Sequence, residues 1–233
     1  MKKICIVLLS LTSLAAAAQK STAKKPTGAT AAAKPLKNES DSLSYALGVS
    51  VASFYKQQGL TNLNSTTISK AISDVLGGKK PIMDANQCQG IIMNYMNKQQ
   101  ESKSKPNVDA GEKFLVQNKK NAAVKTTPSG LQYEVLTQGN GAKPLVTDTV
   151  VVNYKGTLID GNEFDNSYKR GEPISFPLNG VIRGWTEGLQ LMTVGSKYKF
   201  YIPQQLGYGL NDQGPIPGGS VLVFEVELLQ IKK

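Results

Sequence analysis

The rhythm of apolar positions changes character once along the chain. From about residue 41 to residue 124, apolar residues recur every three or four positions, the period of a helix that buries one face. Leu43, Leu47, Val51 and Phe54 mark a first helix, with Asp41 or Ser42 as its cap. Ile68, Ile72, Val75 and Leu76 mark a second, which starts near Ser65 and stops at Gly77-Gly78, where a positive φ is easily accepted. A third begins near Asp84 and carries Cys88, Ile91, Ile92, Tyr95 and Met96. Pro106 lacks the N–H that a helix interior needs, so it is expected to interrupt the helical run, with a fourth helical stretch from about 109 to 124. Short helices enclose little surface. This region is therefore expected to complete itself against a second copy or its neighbour.

At Thr127-Pro128-Ser129-Gly130 the period drops to two. Leu131, Tyr133 and Val135 alternate with Gln132 and Glu134, and Val150, Val152 and Tyr154 with Val151, Asn153 and Lys155. Tyr198, Phe200 and Ile202 alternate with Lys197, Lys199 and Tyr201, and Leu222, Phe224, Val226 and Leu228 with Val223, Glu225 and Glu227. Such strands have one buried and one wet face. One helix interrupts them, where Ile182, Trp185, Leu189 and Met192 fall at helical spacing. The pattern predicts an α+β protein: an all-helical N-terminal region, then one curved antiparallel sheet wrapped around a single short helix. An apolar cleft at the rim of that helix–sheet contact is the default binding site.

The first eighteen residues add a destination. Lys2 and Lys3, the apolar run Ile4 to Leu14 and the small residues Ala15 to Ala18 have the layout of a cleaved secretory signal, and the run is too short to span a bilayer. Loss of Cys5 with the signal leaves Cys88 as the one thiol, which excludes an intrachain disulfide. Its helical apolar surroundings read as core or subunit interface rather than nucleophile. The formal charge of +10 falls to +8 without Lys2 and Lys3, and much of the excess sits at Lys20, Lys24, Lys25, Lys34 and Lys37 in an Ala/Lys/Thr tail. That tail reads as a solvated linker or weak electrostatic tether, and export removes nucleic acid as a partner. The chain contains no histidine, which excludes Ser-His-Asp and Cys-His nucleophiles and every histidine-ligated metal site.

Two blocks carry more specific information. Val152-Asn153-Tyr154-Lys155-Gly156-Thr157-Leu158, followed by Asp160-Gly161 and Phe164-Asp165-Asn166-Ser167, resembles the first signature of the FKBP-type peptidyl-prolyl cis-trans isomerases. Val181-Ile182-Arg183-Gly184-Trp185-x-Glu187-Gly188-Leu189 resembles the family's core helix, Gly207-Tyr208-Gly209 its flap and Val223-Phe224-Glu225-Val226-Glu227-Leu228-Leu229 its last strand. The blocks keep family order across about residues 128 to 232. The helices upstream, with Ser44-Tyr45-Ala46-Leu47-Gly48, are similar to the two-domain exported branch that includes macrophage infectivity potentiators.

The resemblance implies a layout. It comprises a signal peptide (1–18), a basic low-complexity tail (19–39), a helical dimerisation domain (40–105), a connecting helix or linker (106–127) and an FKBP-like isomerase domain (128–233). It implies a homodimer formed through the N-terminal helices, proline-containing or unfolded client proteins as substrates, a periplasmic or outer-membrane-associated location, and a cleft able to bind macrolide inhibitors. It also implies a proline pocket of Tyr154, Phe164, Asp165, Phe176, Val181, Ile182, Trp185, Tyr208, Ile216 and Phe224. In this pocket Trp185 would be the floor, with Tyr154, Phe164 and Phe224 as walls. The Ile182 N–H and the Tyr208 hydroxyl would hold flanking carbonyls, and Asp165 would orient the site. Neither metal nor cofactor is expected, because bond rotation makes and breaks no covalent bond. Two departures bear on substrate preference and macrolide affinity: Ile174 stands where many members have an aromatic, and the short Tyr208 to Ile216 loop has Pro215 where many have an aliphatic residue.

The alternative is a non-enzymatic binding module, a chaperone or adhesin using the same cleft and apolar helical faces. Two further patterns carry little. Gly139-Asn140-Gly141 lacks the third glycine and following helix of a dinucleotide site. Asp160 reads as a turn residue rather than half of an acid/base pair with Glu163 or Asp165.

Overall fold

The computed structural model describes residues 36–232, so the predicted signal peptide and most of the basic tail lie outside the described residues. The described chain packs as two units, one ending at Lys79 and one starting at Lys80.

In the first unit, α1 (Glu39–Gln57) begins earlier than predicted, because Asn38 is its cap and accepts from the Asp41 N–H at 2.8 Å. Glu39 and Asp41 fall in the first turn instead, where carboxylates complement the free N–H groups. Helix α2 (Ser65–Leu76) is capped by Asn64 and ends before Gly78, which takes φ +68°. Neither helix contains a buried residue. Leu43 and Phe54 are 61% and 57% exposed.

The second unit opens with α3 (Ala85–Asn118), entered through a capping box of Asp84 and Gln87. Cys88 lies exposed on it, which removes the core reading of that thiol. The predicted break at Pro106 does not occur, and α3 runs through it. A proline inside a helix costs about 3 kcal/mol. Here the helix is held on both sides of the proline, by Ser104 bonded to the Leu210 carbonyl at 2.6 Å and Asn107 bonded to the Gly218 carbonyl at 2.9 Å. The helix then stops at Asn118 rather than near residue 124. A turn closed by the Val124 N–H on the Asn121 carbonyl at 3.0 Å reverses the chain into a strand that periodicity did not reveal, β1 (Val124–Thr126).

The remaining strands are β2 (Gln132–Thr137), β3 (Thr149–Leu158), β4 (Glu163–Asn166), β5 (Ile174–Pro177), β6 (Lys197–Ile202) and β7 (Leu222–Lys232). They form one antiparallel sheet in the order β1-β2-β6-β7-β3-β4, with β5 also paired to β3. A one-turn helix, α4 (Ser167–Arg170), joins the single helix predicted, α5 (Arg183–Leu189). Trp185 and Leu189 of α5 pack on Val150, Val152, Phe200, Phe224 and Val226 of the sheet. Two glycines permit the approach: a Cβ on Gly188 would stand 2.7 Å from the Phe200 ring, and one on Gly184 2.5 Å from Ile202. The Gly-Trp-x-x-Gly spacing of the core helix is thus a packing requirement.

The predicted wet face is only partly wet. Tyr201, Val223 and Gln132 are buried because the C-terminal turns of α3 cover them, with Phe114 and Leu115 packed there. The Phe114 and Tyr201 rings lie 5.8 Å apart. Gln132 donates to the Leu115 carbonyl at 2.9 Å and accepts from Asn118 at 2.8 Å, which satisfies both ends of its buried amide.

Candidate active site

The rim of the α5–sheet contact opens into a cavity of about 720 Å³, and all ten residues nominated from the sequence line it. Tyr154 reaches it from β3, Phe164 and Asp165 from β4, Phe176 from β5 and Phe224 from β7. Val181 and Ile182 precede α5, Trp185 lies in its first turn, and Tyr208 and Ile216 come from the loop between β6 and β7. Ile174 and Pro215, the two departures from the family pattern, line the same cavity, as does Gly180.

The walls are rings set edge to face. Trp185 lies 5.1 Å from Tyr154 at 86° and 5.0 Å from Phe224 at 83°, and Phe164 lies 5.4 Å from Phe224 at 84°. Such pairs prefer tilted contacts because ring faces are negative and edges positive. Gly156 makes room for two of them: a Cβ there would stand 2.5 Å from Phe164 and 2.8 Å from Phe224. Trp185 is buried, and its Nε1–H has no partner among the described residues.

A polar edge faces this apolar floor. The Tyr154 hydroxyl donates to Asp165 Oδ2, the Arg170 guanidinium pairs with Asp165 Oδ1, and Arg170 also reaches the Tyr154 hydroxyl at 3.0 Å. Arg170 is the site residue that sequence reasoning missed. Its signal was available, as a cation five residues past Asp165, on a one-turn helix closed by Gly171 at φ +83°. Ser167 of the same motif is wholly buried and structural. Its hydroxyl accepts from the Tyr154 N–H at 2.9 Å and donates to Asn153 at 3.0 Å, tying β3 to the start of α4.

Known proteins resemble this chain over most of its length. Residues 141–229 match the FKBP-type peptidyl-prolyl cis-trans isomerase family, and residues 40–135 match the domain amino terminal to such isomerases. FkpA of Aeromonas hydrophila, an FKBP-type peptidyl-prolyl cis-trans isomerase, is 46% identical over 228 residues, spanning 92% of this chain and 84% of that protein. The chain belongs to the FKBP-type peptidyl-prolyl cis-trans isomerases. The outer membrane protein MIP of Legionella longbeachae is 36% identical over 221 residues, spanning 91% of this chain and 93% of that protein. The crystal structure of FkpA from Escherichia coli aligns with a TM-score of 0.57 at 38% identity, covering 85% of this chain and 99% of that one.

The polar edge sets the electrostatics of the isomerase's cavity. Partial burial alone would raise the Asp165 carboxyl, but the hydrogen bonds from Tyr154 and Arg170 outweigh it and hold the group below the usual carboxylate range. Burial raises the Tyr154 hydroxyl, and its bond to Asp165 raises it further. Burial and the nearby Asp165 charge likewise raise Tyr208. At neutral pH the cavity therefore presents one anion, paired to one cation, and two protonated phenols. The Ile182 N–H makes no hydrogen bond to a described residue and remains available at the cavity.

Proposed function

We propose that the enzyme accelerates rotation about X-Pro bonds in unfolded or folding exported proteins, using this cavity as its proline pocket. Rotation about a peptide bond has a barrier of about 18–20 kcal/mol because it breaks amide resonance, and X-Pro bonds isomerise in tens to hundreds of seconds. The twisted amide has lost resonance and is less dipolar than the planar one. A dry pocket walled by rings therefore favours it over the ground state.

Trp185 is the floor under the proline ring, and Tyr154, Phe164 and Phe224 surround the turning carbonyl. The Ile182 N–H and the Tyr208 hydroxyl hold flanking carbonyls, so that one side of the bond stays still while the other turns. Phe176, Val181 and Ile216 shape the pocket around the ring. Asp165, held anionic by Arg170, orients Tyr154 and places negative charge beside the amide. The observation that carries this reading is the convergence of ten residues from separate blocks of sequence on one 720 Å³ cavity. The test is the cis-to-trans rate of a short X-Pro peptide, followed by NMR exchange with the wild type and with Trp185→Ala, Asp165→Ala and Tyr208→Phe. Clear acceleration that falls in the variants is expected, and no acceleration by folded wild type would favour a binding module.

Residues 1–18 act as a signal peptide that directs the mature chain to the periplasm or outer membrane, and 19–39 as a solvated tail. Helices within 40–105 pair two chains, 106–127 connects, and 128–233 is the catalytic domain. What supports pairing is the exposed apolar face of α1 and α2, since short helices without a packed face are marginal in water. Two pockets in one dimer would grip a single client by avidity. Macrolide inhibitors would enter the same cavity, with Ile174 and Pro215 altering the fit.

A further inference from the structure

The loop that brings Tyr208, Pro215 and Ile216 to the cavity is backed on its outer side by α3. Ser104, which is 1% exposed, donates to the Leu210 carbonyl at 2.6 Å, and Gln100 donates to the same oxygen. Asn107 donates to the Gly218 carbonyl at 2.9 Å, and Lys103 pairs with Asp212, which in turn accepts from the Gly218 N–H at 2.9 Å. The backbone of the loop fits the helix closely. Gly219 has φ +80°, and a Cβ there would stand 2.8 Å from the Ser104 carbonyl oxygen and 2.8 Å from Val108. Inside the loop, the Gly219 N–H closes on the Gly209 carbonyl at 2.8 Å, and Gln213 and Ile216 exchange backbone bonds at 2.8 and 3.0 Å.

Gln100, Ser104 and Asn107 are spaced four and three apart, so one helical face carries them. It is a polar stripe. A search for apolar periodicity passes over it, and two of its members flank Pro106.

We propose that Gln100, Ser104 and Asn107 are positioning residues of the proline pocket: α3 clasps the 209–219 loop from behind and holds Tyr208 and Ile216 where a peptide substrate meets them. The inference rests on the reading of the cavity as a proline pocket. Without the clasp the loop carries three pocket residues on backbone whose outward carbonyls have lost their partners, and the competent arrangement becomes one of several. Apparent affinity for substrate falls by the fraction of time the loop is competent, whereas the chemistry inside a correctly occupied pocket is unchanged. The clasp therefore acts on KM more than on kcat.

The test uses the full mature chain with Gln100→Ala, Ser104→Ala and Asn107→Ala combined. Turnover of a short X-Pro peptide is read by NMR exchange over a range of peptide concentration, and amide hydrogen exchange of 209–219 by mass spectrometry. The expected result is a KM raised about tenfold with kcat within about twofold, and faster exchange confined to the loop. Asn118→Ala is the control for a merely structural role. It removes an α3-to-sheet bond that does not touch the loop, and should lower thermal stability while leaving KM unchanged. An equal rise in KM for Asn118→Ala, or unchanged KM and exchange in the triple variant, overturns the proposal. Should the triple variant fail to fold, Asn107→Ala alone decides, with a KM rise of about threefold expected and no change overturning it. The two readings fail separately: turnover lost in Trp185→Ala but untouched by the clasp variants would keep the pocket and remove the clasp, whereas a folded wild type without turnover would remove both.

Discussion

Helix α1 and strand β7 both carry recurring apolar residues, yet no residue of α1 is buried and Leu222, Phe224, Val226 and Leu228 of β7 all are. The difference lies in what each element has to pack against. Strand β7 is paired along both edges, to β6 and β3, and its inner face is covered by α5. Helix α1 has an apolar face too, and none of its residues is buried among the described residues of its unit. Periodicity thus states which face must be buried, and only the supply of neighbouring surface states whether one chain can bury it.

The largest effect is expected in the core of the second unit. Phe200→Ala removes a wholly buried ring that packs against Gly188 of α5, and should cost about 3–5 kcal/mol, measured by urea unfolding of the isomerase. An unchanged midpoint would mean that the core tolerates collapse around the missing ring. Phe54→Glu on α1 should leave the turnover of a short peptide unchanged. If α1 is the proposed pairing surface, the substitution should weaken self-association by about a hundredfold in sedimentation, because the charge falls on its exposed apolar face. If sedimentation is unaffected, the exposed face of α1 is not the pairing surface.

Asn64→Ala deletes the cap that accepts from the Thr67 N–H at 3.0 Å and should cost about 1 kcal/mol, seen as an earlier loss of helical circular dichroism. The smallest effect belongs to Asp165, because its carboxylate is 40% exposed and well screened. Its folded pKa lies below the ordinary value, so its contribution is complete above the unfolded carboxylate pKa of about 3.9 and is lost as pH falls through the lower, folded value. Urea midpoints measured between pH 2 and 5 should therefore fall less steeply for Asp165→Asn than for the wild type, and parallel profiles would show that the Tyr154–Asp165–Arg170 edge adds nothing to stability.

Several site residues were legible because they stand, in matching order, in the motifs that resemble the family. A strand-borne Tyr154, the Phe164-Asp165 pair and the lone Trp185 between two glycines appear in order, and the structure brings them to one cavity. Arg170 was passed over because a lysine or arginine after a turn reads as a solvated charge until a carboxylate is known to lie beside it. The same holds for Ser104, a short polar residue mid-helix that is fully buried. The path of α3 was misread for a related reason. Local preference puts a helix end at Pro106, and the bonds that override it come from Leu210 and Gly218, more than a hundred positions away.

The change from helical to strand period, the inward-facing residues of β3 and β7 and the core helix follow from the sequence alone, because they depend on the spacing of neighbours a few positions apart, while the aromatic residues of the pocket were legible through the motifs that resemble the family. The tertiary structure decided which nominally wet positions are covered, as at Tyr201, Val223 and Gln132, and that a polar face of α3 holds the loop of the pocket. Those outcomes depend on which distant surface arrives to remove water and satisfy hydrogen bonds, and local periodicity carries no record of it.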